Sequence, residues 1–148
     1  MTAKLGLKEY NKDIVDRLLN LLTVSETDMT LFFRALADIN HDTEQPLTDL
    51  AHCYYTPEQL QESEQATIQT WLADYLRVLE EQGQSDASRR TVMNQTNPKY
   101  VLRNYLAQIA IDSAEAGDFS KVDELLNVLK KPYDEQPEYE HLAAKRPE

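Results

Sequence analysis

Apolar residues recur every three or four positions along most of the chain, which is the pattern of amphipathic α-helices. One such run covers residues 7–22 and a second covers residues 29–39. A third, longer run begins at Thr56-Pro57, where threonine can cap and proline suits the first helical position, and it extends to about Gln82. In this long helix we expect five residues to face inward: Ile68, Trp71, Leu72, Tyr75 and Leu79.

Three further helical patterns follow in the second half of the chain. A short helix is predicted over residues 85–95. Asn97-Pro98 then repeats the arrangement of a capping residue followed by proline, and Gly117 ends the helix that starts there. A last helix is predicted over residues 120–131. The last two of these helices are therefore predicted from their ends as well as from their apolar residues.

Signals for β-strands are missing from the sequence. There is no sustained alternation of apolar and polar residues rich in valine, isoleucine and threonine, and no Asn-Gly turn. A chain of 148 residues is long enough for one sizeable core. We therefore predict an all-α fold, a single bundle of about six helices over residues 1–132. Residues 133–148 should form an irregular, acidic, proline-containing tail, poorly ordered or held only by its tyrosines and prolines.

The charge and composition exclude several classes of function. The formal net charge of -11 argues against a nucleic-acid partner, because phosphate backbones require a surplus of lysine and arginine. A single cysteine, Cys53, excludes an internal disulfide and fits a reducing compartment. The sequence holds no apolar run of about eighteen residues, so no membrane-spanning segment is predicted. We expect a cytoplasmic location and no membrane partner.

The residue types that carry chemistry do not form a recognisable site. His41-Asp42 and His52-Cys53 are possible metal ligands, but neither pair repeats at the spacing that a zinc or dinuclear site needs. Nothing near Cys53 in the sequence would lower the pKa of its thiol, and three scattered glycines cannot form a phosphate-binding loop. The residues alone therefore predict no catalytic, cofactor-binding or metal-binding site in this chain.

One arginine stands out from this pattern. Arg103 falls inside the helix predicted from Asn97, where it should project among Ala107, Ala110 and Ala114. A buried guanidinium needs carboxylate or carbonyl partners, so the structural interpretation is a paired arginine in the core. The functional alternative is a contact with a ligand or with a neighbouring domain.

The same stretch carries a family resemblance. MNQTNPKYVLRNYLAQIAI (residues 93–111) and GDFSKVDELLNVLKKPYDEQPEY (residues 117–139) closely resemble the C-terminal region of the SelO (selenoprotein O) family. The resemblance extends upstream to Lys4-Leu5-Gly6 and to residues 28–34, and it includes Trp71 followed four residues later by Tyr75. It covers nearly the whole chain.

The resemblance implies a kinase-fold parent that transfers AMP from ATP, with magnesium, onto hydroxyl side chains of proteins. The family's phosphate-binding, metal-binding and catalytic residues belong to a kinase-like core that precedes the region matched here, and none maps onto a position of this chain. The resemblance thus predicts an excised C-terminal helical domain. Its partner would be the core of its own parent, and the fragment alone would be inactive.

The alternative is a self-standing helical module that binds a partner protein and has no enzymatic activity. An excised domain would also leave a sizeable apolar patch exposed, because the face that covered the missing core would have lost its partner. Such patches favour association. We therefore expect the fragment to self-associate.

Overall fold

The computed structural model describes residues 1–147 and is built from helices. Its seven α-helices are α1 (Lys12–Val24), α2 (Met29–Leu36), α3 (Pro46–Leu50), α4 (Glu62–Glu81), α5 (Asp86–Thr96), α6 (Asn104–Glu115) and α7 (Ser120–Leu129). Four 3₁₀ helices accompany them: Ala3–Leu5, Ala51–Cys53, Pro57–Gln59 and Pro137–Ala143. Within the described residues no strand forms, and an isolated β-bridge joins Thr27 to Tyr54. The all-α prediction is confirmed.

The helices separate into two compact units, whereas the sequence pattern predicts a single bundle. Unit 1 comprises residues 1–97, and unit 2 begins at Pro98. Each unit has its own apolar core. The predicted boundary after residue 132 stays a prediction.

The core of unit 1 is centred on α4, which packs along α1 and against α3. Trp71 and Tyr75 stack with ring centroids 5.1 Å apart, and the indole N–H of Trp71 donates a hydrogen bond of 2.9 Å to the carbonyl of Ile14. The five residues predicted to face inward from this helix are all buried. That part of the prediction is confirmed.

Unit 2 is a pair of helices, α6 and α7, covered at one side by the C-terminal segment. Its core consists of seven buried residues: Tyr100, Leu106, Ala110, Leu125, Val128, Leu142 and Ala143. The last two belong to the 3₁₀ helix Pro137–Ala143, which has no signal in the apolar pattern. The segment is therefore held by buried aliphatic side chains and not only by its tyrosines and prolines.

Two helices of unit 1 begin later than the apolar pattern indicates. The first begins at Lys12, because the side chain of Asn11 accepts a hydrogen bond from the N–H of Ile14 at 3.0 Å. The long helix α4 begins at Glu62 through a capping box, in which Glu64 accepts from the N–H of Gln61 at 2.7 Å. Thr56-Pro57, the predicted start, opens only a 3₁₀ turn.

The glycine stops are confirmed. Gly83 follows the last residues of α4 with φ of 63°, and Gly117 follows α6 with φ of 89°. At each stop the two following N–H groups bond back to the helix, as in a Schellman motif: for α6 these are Gly117 to Ala114 and Asp118 to Ser113. Glycine suits both positions because a left-handed backbone is strained for residues with a Cβ atom.

Candidate functional site

Arg103 is not inside a helix. It occupies the N-cap position of α6 with an extended backbone (φ −76°, ψ 144°), so the prediction that it projects among three alanines is wrong. The guanidinium donates to the carbonyl of Ala143 at 3.5 Å, near the limit of a hydrogen bond. This contact, with the C-terminal segment of its own unit, supports a structural pairing of Arg103 with a carbonyl, but the side chain is half-buried and not in the core.

The helix α6 starts at Asn104 because Asn97 ends the preceding helix instead. The N–H of Asn97 donates to the carbonyl of Met93, which makes Asn97 the C-cap of α5. The backbone N–H groups of Lys99 and Tyr100 both donate to the carbonyl of Pro132. These bonds hold residues 98–103 in a non-helical connection, so the predicted start at Asn97-Pro98 is wrong.

Asn97 is a buried amide whose side chain ties α5 to the N-terminal turn. Its Nδ2 donates to the carbonyl of Lys4 at 2.9 Å, and its Oδ1 accepts from Lys4 Nζ at 2.9 Å. The ammonium of Lys4 also lies 4.6 Å from the ring centroid of Phe33. The backbone carbonyl of Asn97 accepts from Arg34 at 3.3 Å. Lys4, Arg34 and Asn97, all within stretches that carry the resemblance, thus meet in one structural cluster.

Among the described residues the buried arginine is Arg89, which the sequence pattern does not single out. Its side chain is 1 % exposed. The guanidinium donates to the carbonyls of Leu36 at 3.1 Å, Ala37 at 3.3 Å and Ile39 at 2.6 Å. These carbonyls lie at and beyond the C-terminal end of α2, where backbone acceptors lack helical partners and the helix dipole favours a cation. Arg89 therefore caps α2 from another helix.

Arg89 also accounts for the residue types at two neighbouring positions, Gly6 and Tyr75. A Cβ atom at Gly6 would lie 2.4 Å from Arg89 Cγ, so the N-terminal turn can pass the arginine only without a side chain. The hydroxyl of Tyr75 donates to the carbonyl of Leu5 at 2.7 Å and lies 3.4 Å from the Arg89 guanidinium. Burial raises the pKa of Tyr75 to about 12, although the charge of Arg89 opposes the shift. The phenol thus stays neutral at physiological pH.

The signal for Arg89 was present in the sequence but ambiguous. Arg89 lies four residues before Met93, so the two share a helix face, and Met93 is fully buried. The exposed neighbour Arg90, whose Nε lies 2.8 Å from Asp38, made the pair resemble ordinary surface charge. Which of two adjacent arginines faces inward depends on the exact phase of a helix with few apolar residues.

The pairs considered as metal ligands or nucleophiles do not form a reactive site. The thiol of Cys53 lies 3.6 Å from His52 Nε2, but Cys53 is completely buried, so a substrate cannot reach it. The other ring nitrogen of His52 bonds to the carbonyl of Asp49. The neighbouring Tyr54 has its pKa raised to about 12 by burial, with a smaller effect of Cys53.

His41 and Asp42 lie exposed in the connection before α3. Across residues 1–147 no three histidine, cysteine, aspartate or glutamate side chains come together in a way that could hold a metal ion. Over the same residues, none of the helices has the length and apolarity that crossing a membrane requires.

Unit 2 contains a second cationic centre, Lys99. Its ammonium lies 2.5 Å from Glu135 Oε2 and 2.6 Å from Glu140 Oε2, and its side chain is 14 % exposed. Burial by itself would lower the pKa of Lys99, but the hydrogen bonds to the two carboxylates outweigh it and raise the pKa above its ordinary value. Lys99 therefore stays charged and holds the C-terminal segment from two points.

Neighbouring hydrogen bonds fix the same segment. The hydroxyl of Tyr100 donates to the carbonyl of Gln136 at 2.9 Å. The side-chain amide of Gln136 donates in turn to the carbonyls of Val128 at 3.1 Å and Lys131 at 2.9 Å, at the end of α7. The inward-facing polar groups of both units thus bind backbone carbonyls or partners within the same unit, as in a structural framework.

Comparison with known proteins gives this framework a context. A family profile described as "Protein adenylyltransferase SelO" matches residues 1–130. Relatives described as "Protein nucleotidyltransferase YdiU" are 48% identical in Rhodopirellula baltica, 46% in Thioalkalivibrio sulfidiphilus and 43% in Aromatoleum aromaticum. Each alignment covers 100% of this chain but only 30%, 29% and 28% of the respective relative.

The chain thus spans less than a third of the length of these curated relatives, and the matched part is their C-terminal region. The resemblance seen in the sequence is confirmed over most of the chain, including its N-terminal turn and α2. This chain belongs to the SelO family of protein adenylyltransferases.

Proposed function

We propose that this chain is the C-terminal helical domain of a protein adenylyltransferase and supports a catalytic core carried by the rest of the parent. The parent would transfer AMP from ATP, with magnesium, to hydroxyl side chains of protein substrates in the cytoplasm. The observation that carries the proposal is the family match over residues 1–130, combined with coverage of less than a third of the relatives. The kinase-like core would be the domain's first partner.

We infer that the catalytic, ATP-binding and metal-binding residues of the parent lie outside this chain. Transfer of a nucleotidyl group depends on cations and metal ligands positioned around the triphosphate. Two shielded cations are already engaged: Arg89 by three carbonyls, and Lys99 by two carboxylates. The net charge of -11 would repel a triphosphate. A supporting domain fits these features better than a nucleotide site.

A second candidate is a self-standing module that binds a partner protein without any enzymatic activity. The observation that favours it is the number of exposed large apolar residues in unit 2, among them Leu102, Phe119 and Leu126. The same residues suit a domain that has been separated from its core. The two candidates differ in whether the reading frame around this segment also encodes a kinase-like core.

Labelled ATP distinguishes the candidates. The protein encoded by the whole reading frame and the 148-residue chain are each incubated with ATP labelled at the α-phosphate, magnesium and candidate protein substrates. We expect transfer of label by the longer protein and none by the chain. AMP transfer by the chain alone would place catalysis in it, against the proposal. A reading frame without a core, or a folded longer protein that transfers no label, would favour the binding module.

A further inference from the structure

One side of α7 exposes a row of large apolar residues. Phe119, directly before the helix, is 62% exposed, and Val122 and Leu126 within it are 42% and 53% exposed. At about 100° per residue these three positions fall within an arc of roughly 60°. We call this row the α7 stripe. Leu125 and Val128 on the adjoining face are buried in the core of unit 2, so the stripe is a separate surface.

The stripe is large for the unit that carries it. Unit 2 has only seven buried core residues, and units of about 50 residues are marginally stable without a disulfide, a metal or a covering partner. The one cysteine of the chain lies in unit 1, and no metal-binding group occurs among the residues that the structure describes. Contiguous exposed apolar residues on such a unit are typical of an interaction surface.

We propose that the α7 stripe is the surface on which the parent's own preceding chain docks. This rests on the proposed function, which makes the chain one part of a longer protein. The relatives continue for about 70% of their length outside the region aligned here, and the aligned region is their C-terminal part. A tethered segment of that size is present at high effective concentration, so it covers the stripe before a free partner can.

The chemistry of the stripe defines its occupant. Its three members, an aromatic ring and two branched aliphatic side chains, present no hydrogen-bonding group, so the docked surface must be apolar. A phosphate-rich or strongly charged partner would lose solvation here without gaining a bond. The occupant is therefore an apolar face of the parent's remaining domain, not its nucleotide-binding groove.

Thiol footprinting tests this assignment in the intact parent. Leu126→Cys and, separately, Val122→Cys introduce a thiol into the stripe, whereas Ile111→Cys introduces one on α6 at a site that is 50% exposed and outside the stripe. Cys53 is buried and reacts slowly with an alkylating reagent. Mass spectrometry of the peptide that contains the new cysteine measures its labelling rate separately from every other thiol of the parent.

We expect cysteines at 122 and 126 to be labelled at least tenfold more slowly in the parent than in the 148-residue chain. The rate at 111 should agree within about twofold between the two proteins. Equal rates at 122 and 126 would overturn the proposal. Protection that already exists in the isolated chain would also overturn it. If dilution relieves that protection, a second copy covers the stripe; if dilution does not, a contact inside the chain covers it.

The same parent preparations are assayed for AMP transfer, which keeps the two proposals distinguishable. Protection of the stripe in a parent that transfers no AMP would support the docking surface and reject the proposed activity. AMP transfer without protection would reject the docking surface alone.

Discussion

Unit 1 and unit 2 differ in how completely each covers its own apolar side chains. Among the side chains that the structure describes, unit 1 buries twenty in one core and leaves four large apolar ones exposed: Met1, Tyr10, Leu19 and Met29. Unit 2 buries seven and exposes as many: Leu102, Ile109, Ile111, Phe119, Val122, Leu126 and Tyr133. The first has the composition of a self-sufficient core, whereas the second resembles one half of an interface.

The polar interactions show the same contrast. In unit 1 buried side chains donate to backbone carbonyls, as Arg89 does at the end of α2 and Tyr75 does at Leu5. In unit 2 Lys99 adds an ion-pair contact to the C-terminal segment, and its carboxylate partners Glu135 and Glu140 are more than 60% exposed. Hydrogen bonds shielded from water stabilise more than ion pairs at the surface. The following predictions test this difference, beginning with the largest effect.

Arg89→Ala should destabilise unit 1 by about 4 kcal/mol. The substitution leaves the carbonyls of Leu36, Ala37 and Ile39 buried without their donor and opens a cavity beside Gly6. Urea unfolding followed by the fluorescence of Trp71, the one tryptophan of the chain, measures the loss.

The matched control is Arg90→Ala. Its side chain is 60% exposed and its partner Asp38 is 58% exposed, so the expected cost is below about 0.5 kcal/mol. Equal costs for the two adjacent arginines would contradict the assignment of Arg89 as the buried cap of α2.

Asn97→Ala should cost about 2 kcal/mol, more than the loss of an ordinary helix cap. The substitution removes both side-chain hydrogen bonds to Lys4 in a site that is 1 % exposed. Gln95→Ala, two residues earlier on the exposed side of α5, serves as the control with an effect near zero. If the two variants unfold at the same urea concentration, the tie between α5 and the N-terminal turn contributes nothing.

Lys99→Met should release the C-terminal segment at a cost of about 1 kcal/mol, because methionine keeps the apolar stem but loses both carboxylate partners. Amide exchange in residues 138–143 should accelerate severalfold, while exchange in α4 stays unchanged. Lys130→Met, at an exposed position, is the control. Unchanged exchange in Lys99→Met would mean that the buried Leu142 and Ala143 alone hold the segment.

The pKa of Lys99 predicts how this contact depends on pH. Since the carboxylates raise the pKa above the ordinary 10.5, the stabilisation is fully present below that pH and is lost as the pH rises through the raised value. The methyl resonances of Leu142, followed by NMR from pH 8 to pH 12, should shift only in the upper part of this range. In Lys99→Met this shift should disappear. A transition well below pH 10 would point to a different group.

The positions of the helices were predictable from the sequence, while several starts and the buried arginine were not. Periodicity locates the inward face of α4. Gly83 and Gly117 mark the ends of their helices because the backbone there is left-handed, a conformation that glycine adopts without strain. Asn97-Pro98 has the composition of a helix start, but a contact 93 residues away in sequence recruits Asn97 for another purpose. Local propensity cannot anticipate such a tertiary contact.

The arginines illustrate the same limit. Arg103 looked unusual because the predicted helix was started six residues too early, which placed its side chain among alanines. Arg89 looked ordinary because its partners, three carbonyls at the end of α2, lie some fifty residues earlier in the chain. The sequence of this chain predicts no catalytic motif, which is consistent with the proposed supporting role. That catalysis lies elsewhere in the parent stays a prediction until the parent is assayed.

The smallest effect should come from the α7 stripe in the isolated chain. Leu126→Ser replaces a side chain that is 53% exposed, so the free energy of unfolding should change by less than about 0.5 kcal/mol. Val128→Ala, two residues further along α7 but buried, should cost about 1.5 kcal/mol because it removes two methyl groups from a core of only seven residues. Amide exchange in α6 reports the stability of unit 2 for both variants.

Sedimentation of the same samples adds a second readout: if copies of the chain associate through the stripe, Leu126→Ser should weaken association and Val128→Ala should not. A Leu126→Ser variant as unstable as Val128→Ala would show that the stripe already belongs to the core of unit 2, and the contrast between a closed unit and an open one would then fail.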